Sequence, residues 1–277
     1  MAEKCSICNG KLRVRWAMRS DGRTVARCSG CGVMMLNPMP SEKEVRSWYV
    51  DESYYVGDSR SSYDEGYLER INIRCNDKNS WPYRLLARAA RLGEREKPGR
   101  LLDVGCGGGL FAACAKRVGW DVRGLDPNPA AVEAAARYGV TVCTATIEES
   151  GFGANMFDII YSNDVIEHVL DPIKAFAEID RLLVPRGVLI VSTPNGARAL
   201  LRRSQWGGFR SSLEHMWYFN ERSLKWLCRM MDFEVYALEQ GDWNPGWLWQ
   251  HLFLRLGLGR TLTLIAGKAQ DGTEVRT

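Results

Sequence analysis

The sequence predicts an α/β protein: a doubly wound parallel sheet with a small separate module at its N-terminus. Three observations carry this. From residue 98 onward, short apolar runs alternate with stretches of helical periodicity, the pattern of a sheet covered on both faces. The first run, Leu101-Leu-Asp-Val104, leads straight into Gly105-Cys-Gly-Gly-Gly109, a strand ending in a turn open to a ligand. Near the N-terminus, Cys5-Ser-Ile-Cys8 and Cys28-Ser-Gly-Cys31 form two C-x2-C pairs.

The 277 residues suffice for one ordinary α/β domain plus a module, and 45% apolar with 25% charged residues is a globular composition. There is no run of about 18 apolar residues, so no transmembrane helix is expected. The first turns of sequence hold Glu3, Lys4, Lys11, Arg13 and Arg15 and no apolar core, which argues against a signal peptide; a cytoplasmic location is expected. Nine cysteines is an odd number. Five of them (Cys75, Cys106, Cys114, Cys143, Cys228) are scattered among apolar residues, so a reducing compartment with one metal site fits better than a disulfide framework.

Residues 1–40 read as a zinc ribbon. Nineteen residues separate the two cysteine pairs, and the thiolates of Cys5, Cys8, Cys28 and Cys31 would close a tetrahedral shell with no place for water, so the metal is structural. A redox role for the pairs is the weaker rival. Gly10 and Gly32 follow the pairs, where a tight turn needs a permissive backbone. Lys11–Trp16 and Thr24–Cys28 alternate polar and apolar around the hairpin turn Asp21-Gly22. A module this small has little core, so the metal would supply its folding energy. Residues 1–32 carry seven Lys/Arg against Glu3 and Asp21, a net +5 that leaves the rest of the chain at −1. Such a face suits nucleic acid or an acidic substrate, although a solvated surface is the simpler reading.

Residues 41–97 form a bridge of short helices and loop. Ser41 and Glu44 read as a capping box. Aromatics and charges mix (Trp48, Tyr49, Tyr54, Tyr55, Tyr63, Tyr67, Trp81, Tyr83), and a helix is predicted from about Pro82 to Arg95 on the spacing of Leu85, Leu86, Ala89 and Leu92. Tyr54-Tyr55 either closes over a cofactor or packs the ribbon on the main domain.

Residues 98–277 form the main domain. Strands are predicted at Leu101–Val104, Asp121–Leu125, Val140–Thr144, Phe157–Ser162 and Val188–Thr193, with helices at Leu110–Val118, Pro129–Tyr138 and around Pro172–Leu183. Ligands of such sheets bind beyond the carboxyl ends of the strands. A dinucleotide fingerprint would need glycine at position 110, which is Leu, so the turn favours a different adenosine cofactor.

With these motifs in order, the chain resembles a class I S-adenosylmethionine-dependent methyltransferase. The resemblance rests on Asp103-Val-Gly-Cys-Gly-Gly-Gly109, Gly124-Leu-Asp126, Phe157-Asp158, Asn163-Asp-Val-Ile-Glu-His-Val-Leu-Asp-Pro172 and Leu183-Val-Pro-Arg-Gly187. Leu213-Glu-His-Met-Trp-Tyr-Phe-Asn220, Ser223-Leu224 and the ribbon with Asn37-Pro38 resemble a subgroup that carries an N-terminal zinc ribbon and modifies sugars, natural products or other small molecules. The resemblance implies a seven-stranded Rossmann-like methyltransferase sheet, with Phe233–Leu238 and Leu262–Ile265 as the antiparallel pair that closes it. It also implies S-adenosylmethionine contacts from Asp103, Gly105, Cys106, Gly107, Gly109, Asp126, Pro127, Thr146, Ile147, Asn163 and Val165. Of these, Asp126 suits the ribose hydroxyls, Thr146 and Ile147 the adenine, and Asn163 the methionine end. Asp158 reads as structural.

Of three histidines, His168 follows the fourth strand beside the expected methyl group and His215 follows the fifth, at the acceptor pocket. Both are candidate catalytic residues, since histidine suits proton removal from a hydroxyl or amine; capping of a loop is the alternative for each. His251 reads as packing within a Trp-rich helical stretch (Trp243, Trp247, Trp249, Leu252, Phe253, Leu256) that serves as a dimer face, a substrate lid or core. The favoured function is O-methylation of a sugar or secondary metabolite, as in natural product biosynthesis. C-methylation of a nucleotide sugar is the alternative. RNA methylation, with the ribbon docking the RNA, is less favoured, because Trp16 is the ribbon's one stacking aromatic. No membrane partner is expected, and a homodimer fits the Trp-rich face.

Overall fold

The structure is a computed structural model that describes residues 4–50, 65–211, 213–241 and 259–268. The Tyr54-Tyr55 pair, Tyr63 and the Trp-rich stretch with His251 lie outside these residues. Three short strands open the chain: β1 (Leu12–Met18), β2 (Thr24–Cys28) and β3 (Met34–Leu36). They pair antiparallel in sequence order. Gly22, at φ +81°, closes the first hairpin where other residues would be strained.

Three helices follow: α1 (Glu42–Val50), α2 (Glu65–Asn76) and α3 (Trp81–Leu92). Half of the expected capping box forms at α1. The Ser41 hydroxyl accepts the Glu44 N–H at 3.3 Å, but the Glu44 carboxylate pairs with Arg23 instead of turning back. The α3 helix stops at Gly93, whose N–H reaches the Ala89 carbonyl, so the predicted end at Arg95 is three residues too far.

The main domain then alternates strand and helix: β4 (Arg100–Val104), α4 (Leu110–Arg117), β5 (Asp121–Leu125), α5 (Pro129–Ala136), β6 (Thr141–Cys143), β7 (Phe157–Asn163), α6 (Pro172–Leu182) and β8 (Leu183–Pro194). Helix starts follow the sequence closely. Asn128 and Asp171 each accept N–H groups of the first turn while a proline occupies the next position. Short helical turns between residues 196 and 209, including α7 (Ala199–Arg202), lead to β9 (Trp217–Tyr218), α8 (Glu221–Met230), β10 (Phe233–Gly241) and β11 (Thr261–Lys268).

Seven strands form the main sheet in the order β10-β11-β8-β7-β4-β5-β6. The five from β8 to β6 are parallel, and β10 and β11 are antiparallel, as expected. Strands β4 and β7 are covered on both faces, so Leu101, Leu102, Ile159 and Ile160 are all fully buried, a continuous apolar run in place of alternation. Each contributes about 1.5–3 kcal/mol of hydrophobic stabilisation. The chain runs outward from β4 through β5 to β6, then returns to lay β7 on the other side of β4. In sheets of this kind the ligand crevice lies at such a reversal, here beyond the carboxyl ends of β4 and β7.

Strand β9, after the fifth strand of the main sheet, joins the N-terminal sheet, whose full order is β1-β2-β3-β9. Met34 faces Tyr218 and Met35 faces Trp217 across the pairing. Val25, Met34 and Leu36 share one buried cluster with Trp217, Tyr218, Leu189 and Val191 of the main domain. The N-terminal sheet is therefore knitted into the loop that carries His215.

Candidate functional site

The glycine turn lines one side of the crevice. Gly105, Gly107 and Gly109 have φ of +65°, +50° and +81°, values that exact a steric cost from any residue with a Cβ. A Cβ on Gly105 would also lie 2.3 Å from Cγ2 of Val165, in the loop after β7. Asp126, at the end of β5, ties the turn to its neighbour. Its Oδ2 accepts the Gly107 N–H at 2.8 Å and its Oδ1 the Asn128 N–H at 2.9 Å. Asp103 lies beneath the turn, 2% exposed, and accepts the Ala112 N–H at 3.1 Å. Burial, with the Asp126 charge adding, pushes its pKa up to about 8.

The remaining predicted contacts spread outward from this centre. Cys106 fills the space over Gly124, where an added Cβ would meet its sulfur at 2.7 Å. Pro127 is half-buried between Asp126 and Asn128. Ile147 is buried in the core while Thr146 beside it is exposed. The Asn163 amide donates to the Asp164 carboxylate at 2.9 Å, at the end of β7. Asp158 behaves as the structural group the sequence indicated. It accepts the Arg100 N–H at 2.7 Å and pairs with Arg95 at 2.6 Å, at the start of the strands and far from the crevice.

The two histidines come together, although 47 positions separate them in sequence. Their ring centroids are 4.6 Å apart with the rings at 89°. Glu167, 1% exposed, completes the cluster. Its backbone carbonyl accepts the N–H groups of Met216 and Trp217 at 2.8 and 3.1 Å, joining the His168 loop to the His215 loop. Its Oε2 accepts the Thr193 hydroxyl at 2.9 Å. Its Oε1 and the Nδ1 of His168 are sealed from solvent with no hydrogen-bond partner among the described residues. Burial drives the Glu167 pKa well above the carboxylate range and lowers that of His168 to about 4. An oxygen of Glu214 lies 3.9 Å from His215 Nε2.

Arg19 braces this arrangement from the N-terminal sheet. Its side chain is fully buried beside Asp21, its ion-pair partner. It donates to the His215 carbonyl at 2.8 Å, to the Tyr218 hydroxyl at 3.2 Å and to the Leu213 carbonyl. The four cysteine sulfurs of the same module converge within 4.8 Å of one another. Cys5 and Cys31 are 3.8 Å apart, Cys8 and Cys28 3.3 Å. A Cβ at Gly10 or Gly30 would crowd these sulfurs, at 3.0 and 2.8 Å.

A methyltransferase-domain family model matches residues 78–238, more than half of the chain. The chain belongs to the class I S-adenosylmethionine-dependent methyltransferases. A ubiquinone biosynthesis O-methyltransferase of Cereibacter sphaeroides is 36% identical over 102 residues, 35% of this chain and 41% of that protein. The match thus spans about two-fifths of such a relative. S-adenosylmethionine-dependent methyltransferases from Mesorhizobium loti and Thermotoga maritima share the fold, each with a TM-score of 0.51 at 22% identity. They cover 65% and 73% of this chain, and 96% and 95% of their own. No described helix of the methyltransferase is long and apolar enough to cross a membrane.

Four further residues of this methyltransferase belong to the site: Glu167, Glu214, Arg19 and Tyr67. Glu167 and Glu214 each directly precede a candidate histidine, and that adjacency is the signal the sequence offers. Arg19 is one of the module's seven basic residues in sequence, but its side chain is fully buried and not solvated. Tyr67, on α2, reaches the glycine turn, where the Gly108 N–H donates to its hydroxyl oxygen; burial raises its pKa to about 12. Tyr67, Ile71 and Cys75 recur at helical spacing, which marked the buried face of α2 but not its target.

Proposed function

We propose that this methyltransferase moves the methyl group of S-adenosylmethionine to a hydroxyl oxygen of a small-molecule acceptor, a sugar or secondary metabolite. The observation that carries this reading is the Glu167–His168–His215 cluster, with Glu167 and His215 buried and His168 partly so, where the loop after β7 meets the loop before β9. The name of the Cereibacter relative supports oxygen as the target.

The residues present fit the cofactor. Gly105, Gly107 and Gly109 keep the crevice wall free of side chains for the methionine portion and ribose. Each Asp126 oxygen takes one backbone N–H and keeps a second lone pair, so both can accept from ribose hydroxyls. In this reading Thr146 and Ile147 line the adenine, and Asn163 and Val165 the methionine end. Bound there, S-adenosylmethionine supplies an electrophilic methyl carbon.

Methyl transfer is an in-line displacement, so the protein must align the acceptor and remove a proton. His168 is neutral at pH 7, and its pKa of about 4 makes it a weak base. His215, with Glu214 beside it, is the group that takes the hydroxyl proton, while His168 packs against it edge-on. The oxygen then attacks the methyl carbon as the carbon–sulfur bond breaks, and the electron pair stays on sulfur.

The four cysteines fit a structural zinc: four sulfurs converge, with glycines where side chains would crowd them. Zinc would hold the module, and with it β9 and Arg19, in place. The test is turnover of S-adenosylmethionine on a panel of hydroxylated acceptors. His215→Ala should lower kcat by about 100-fold or more with cofactor affinity unchanged; undiminished turnover would remove His215 as the base.

A further inference from the structure

We propose that Glu167, His168 and His215 form a second metal centre, binding a first-row divalent cation such as zinc or iron(II) at the acceptor end of the crevice. The purpose assigned to it rests on the O-methylation reading above, but its chemistry rests on the donor atoms alone.

One ligand atom from each of the three residues lies within 4.8 Å of the other two. Atoms bonded to one ion at about 2.1 Å lie up to about 4.2 Å apart, so small side-chain rotations close the set. The second observation is independent of this spacing. Glu167, 1% exposed, leaves Oε1 without a hydrogen-bond partner, and so does His168 with Nδ1. Buried polar groups are rarely left so, and two adjacent ones call for an explanation. A cation shared between them satisfies both.

The surroundings support the same reading. Thr193 holds the other Glu167 oxygen, and Met216 and Trp217 hold its backbone, the outer contacts that orient a ligand. The carboxylates of Asp164 and Glu214 act electrostatically on Glu167, so the pocket favours positive charge. Two imidazoles and one carboxylate select zinc, iron(II) or cobalt(II) over magnesium and calcium. Three protein ligands leave an open position.

An acceptor hydroxyl can fill that position. Bound to the cation, it ionises more readily. The O–H bond breaks and the proton passes to the Glu214 carboxylate. The oxygen forms its bond to the methyl carbon as the carbon–sulfur bond breaks, leaving a neutral thioether and a methyl ether. With the cation bound, His215 serves as a ligand and Glu214 takes the proton, which replaces the role given to His215 above, and His215→Ala then acts by loss of a ligand.

Metal-free full-length protein is titrated with cobalt(II), followed by visible absorption and by metal analysis after desalting. Two equivalents per chain are expected, one with thiolate charge-transfer bands from the cysteines and one with nitrogen- and oxygen-type bands. Glu167→Gln and His168→Ala should each lose the second equivalent and keep the thiolate bands, which report a folded module. One equivalent in the wild type, or a second that survives both substitutions, overturns the centre. Methyl transfer to hydroxylated acceptors is measured in parallel. Turnover with only one equivalent bound overturns the centre and leaves O-methylation standing. Two equivalents without turnover support the centre and remove O-methylation.

Discussion

At the glycine turn after β4 the chain presents backbone, whereas at the end of β7 it presents buried, incompletely partnered side chains. The first wall is local. Asp103, the three glycines and Asp126 span 24 consecutive positions, and the hydrogen bonds of the two carboxylates reach no further than Asn128. The second wall is assembled from four distant segments: Arg19, the 163–169 loop, Thr193 and the 213–218 loop. A backbone cradle can serve one invariant cofactor. A side-chain pocket braced by a separate module can change with its acceptor without disturbing that cradle. If so, damage to the N-terminal module should abolish acceptor chemistry and spare cofactor binding.

The largest expected effect comes from removing the module's support. Cys8→Ser with Cys28→Ser should free β3 from β9 and let the His215 loop shift. A displacement of about 1 Å costs roughly 100-fold in rate, so methyl transfer should fall at least that far. The dissociation constant for S-adenosylmethionine, read by calorimetry, should stay within about 2-fold. Equal losses in both would show that the two walls are one unit.

The opposite break is Gly105→Ala. The new Cβ meets Val165 and sits at φ +65°, a backbone cost of about 1–2 kcal/mol. Cofactor affinity should fall by about 30-fold or more, with the His168–His215 cluster intact. Adding Val165→Ala should recover the part due to contact and leave the part due to φ. No recovery would mean that the loop after β7 does not set the turn.

A milder probe is Arg19→Met, which keeps the bulk and removes the donors. The Leu213 and His215 carbonyls lose a charged partner, and hydrogen bonds of that kind contribute about 1.5–3 kcal/mol. The acceptor kcat/KM should drop by about 10- to 100-fold, again with cofactor affinity unchanged. A cofactor effect of the same size would make Arg19 a general stabiliser of the fold.

The same contrast explains what the sequence discloses. Strands β4, β5 and β7, the glycine turn and Asp126 were legible because each depends on neighbours a few positions away: a strand's apolar run, a positive φ, a carboxylate two residues before the N–H it binds. The cysteine tetrad was legible because each half is a local C-x2-C pair, although the two halves meet across about twenty positions. His168 and His215 could be named singly, but their meeting could not be read, because it depends on β9 crossing to the N-terminal sheet. A two-residue strand carries no periodicity. Arg19 looks like a solvated charge in sequence because its partners, the carbonyls of Leu213 and His215, have no side-chain signature there. Glu167 lay in plain view beside His168, yet only burial shows that one of its oxygens lacks a partner.

The smallest effect concerns a carboxylate that the cofactor wall buries deeply under the turn. Asp103 holds its proton up to about pH 8 in the folded protein, whereas an unfolded chain releases it near pH 4. Between those values the unfolded chain binds fewer protons, so stability falls as pH rises, by at most about 1.4 kcal/mol per unit. Asp103→Asn keeps an oxygen for the Ala112 N–H and cannot ionise. Its melting temperature should therefore gain on the wild type from pH 5 to pH 8, by about 3 °C per unit at most. S-adenosylmethionine carries positive charge into the same crevice and favours the ionised carboxylate, so saturation with it should flatten the trend. Parallel melting curves for the two proteins across this range would show that Asp103 is ionised in the fold and that water or a cation reaches beneath the turn. A flattening by cofactor with no change on cysteine substitution would keep the two walls independent, even in the charge they bury.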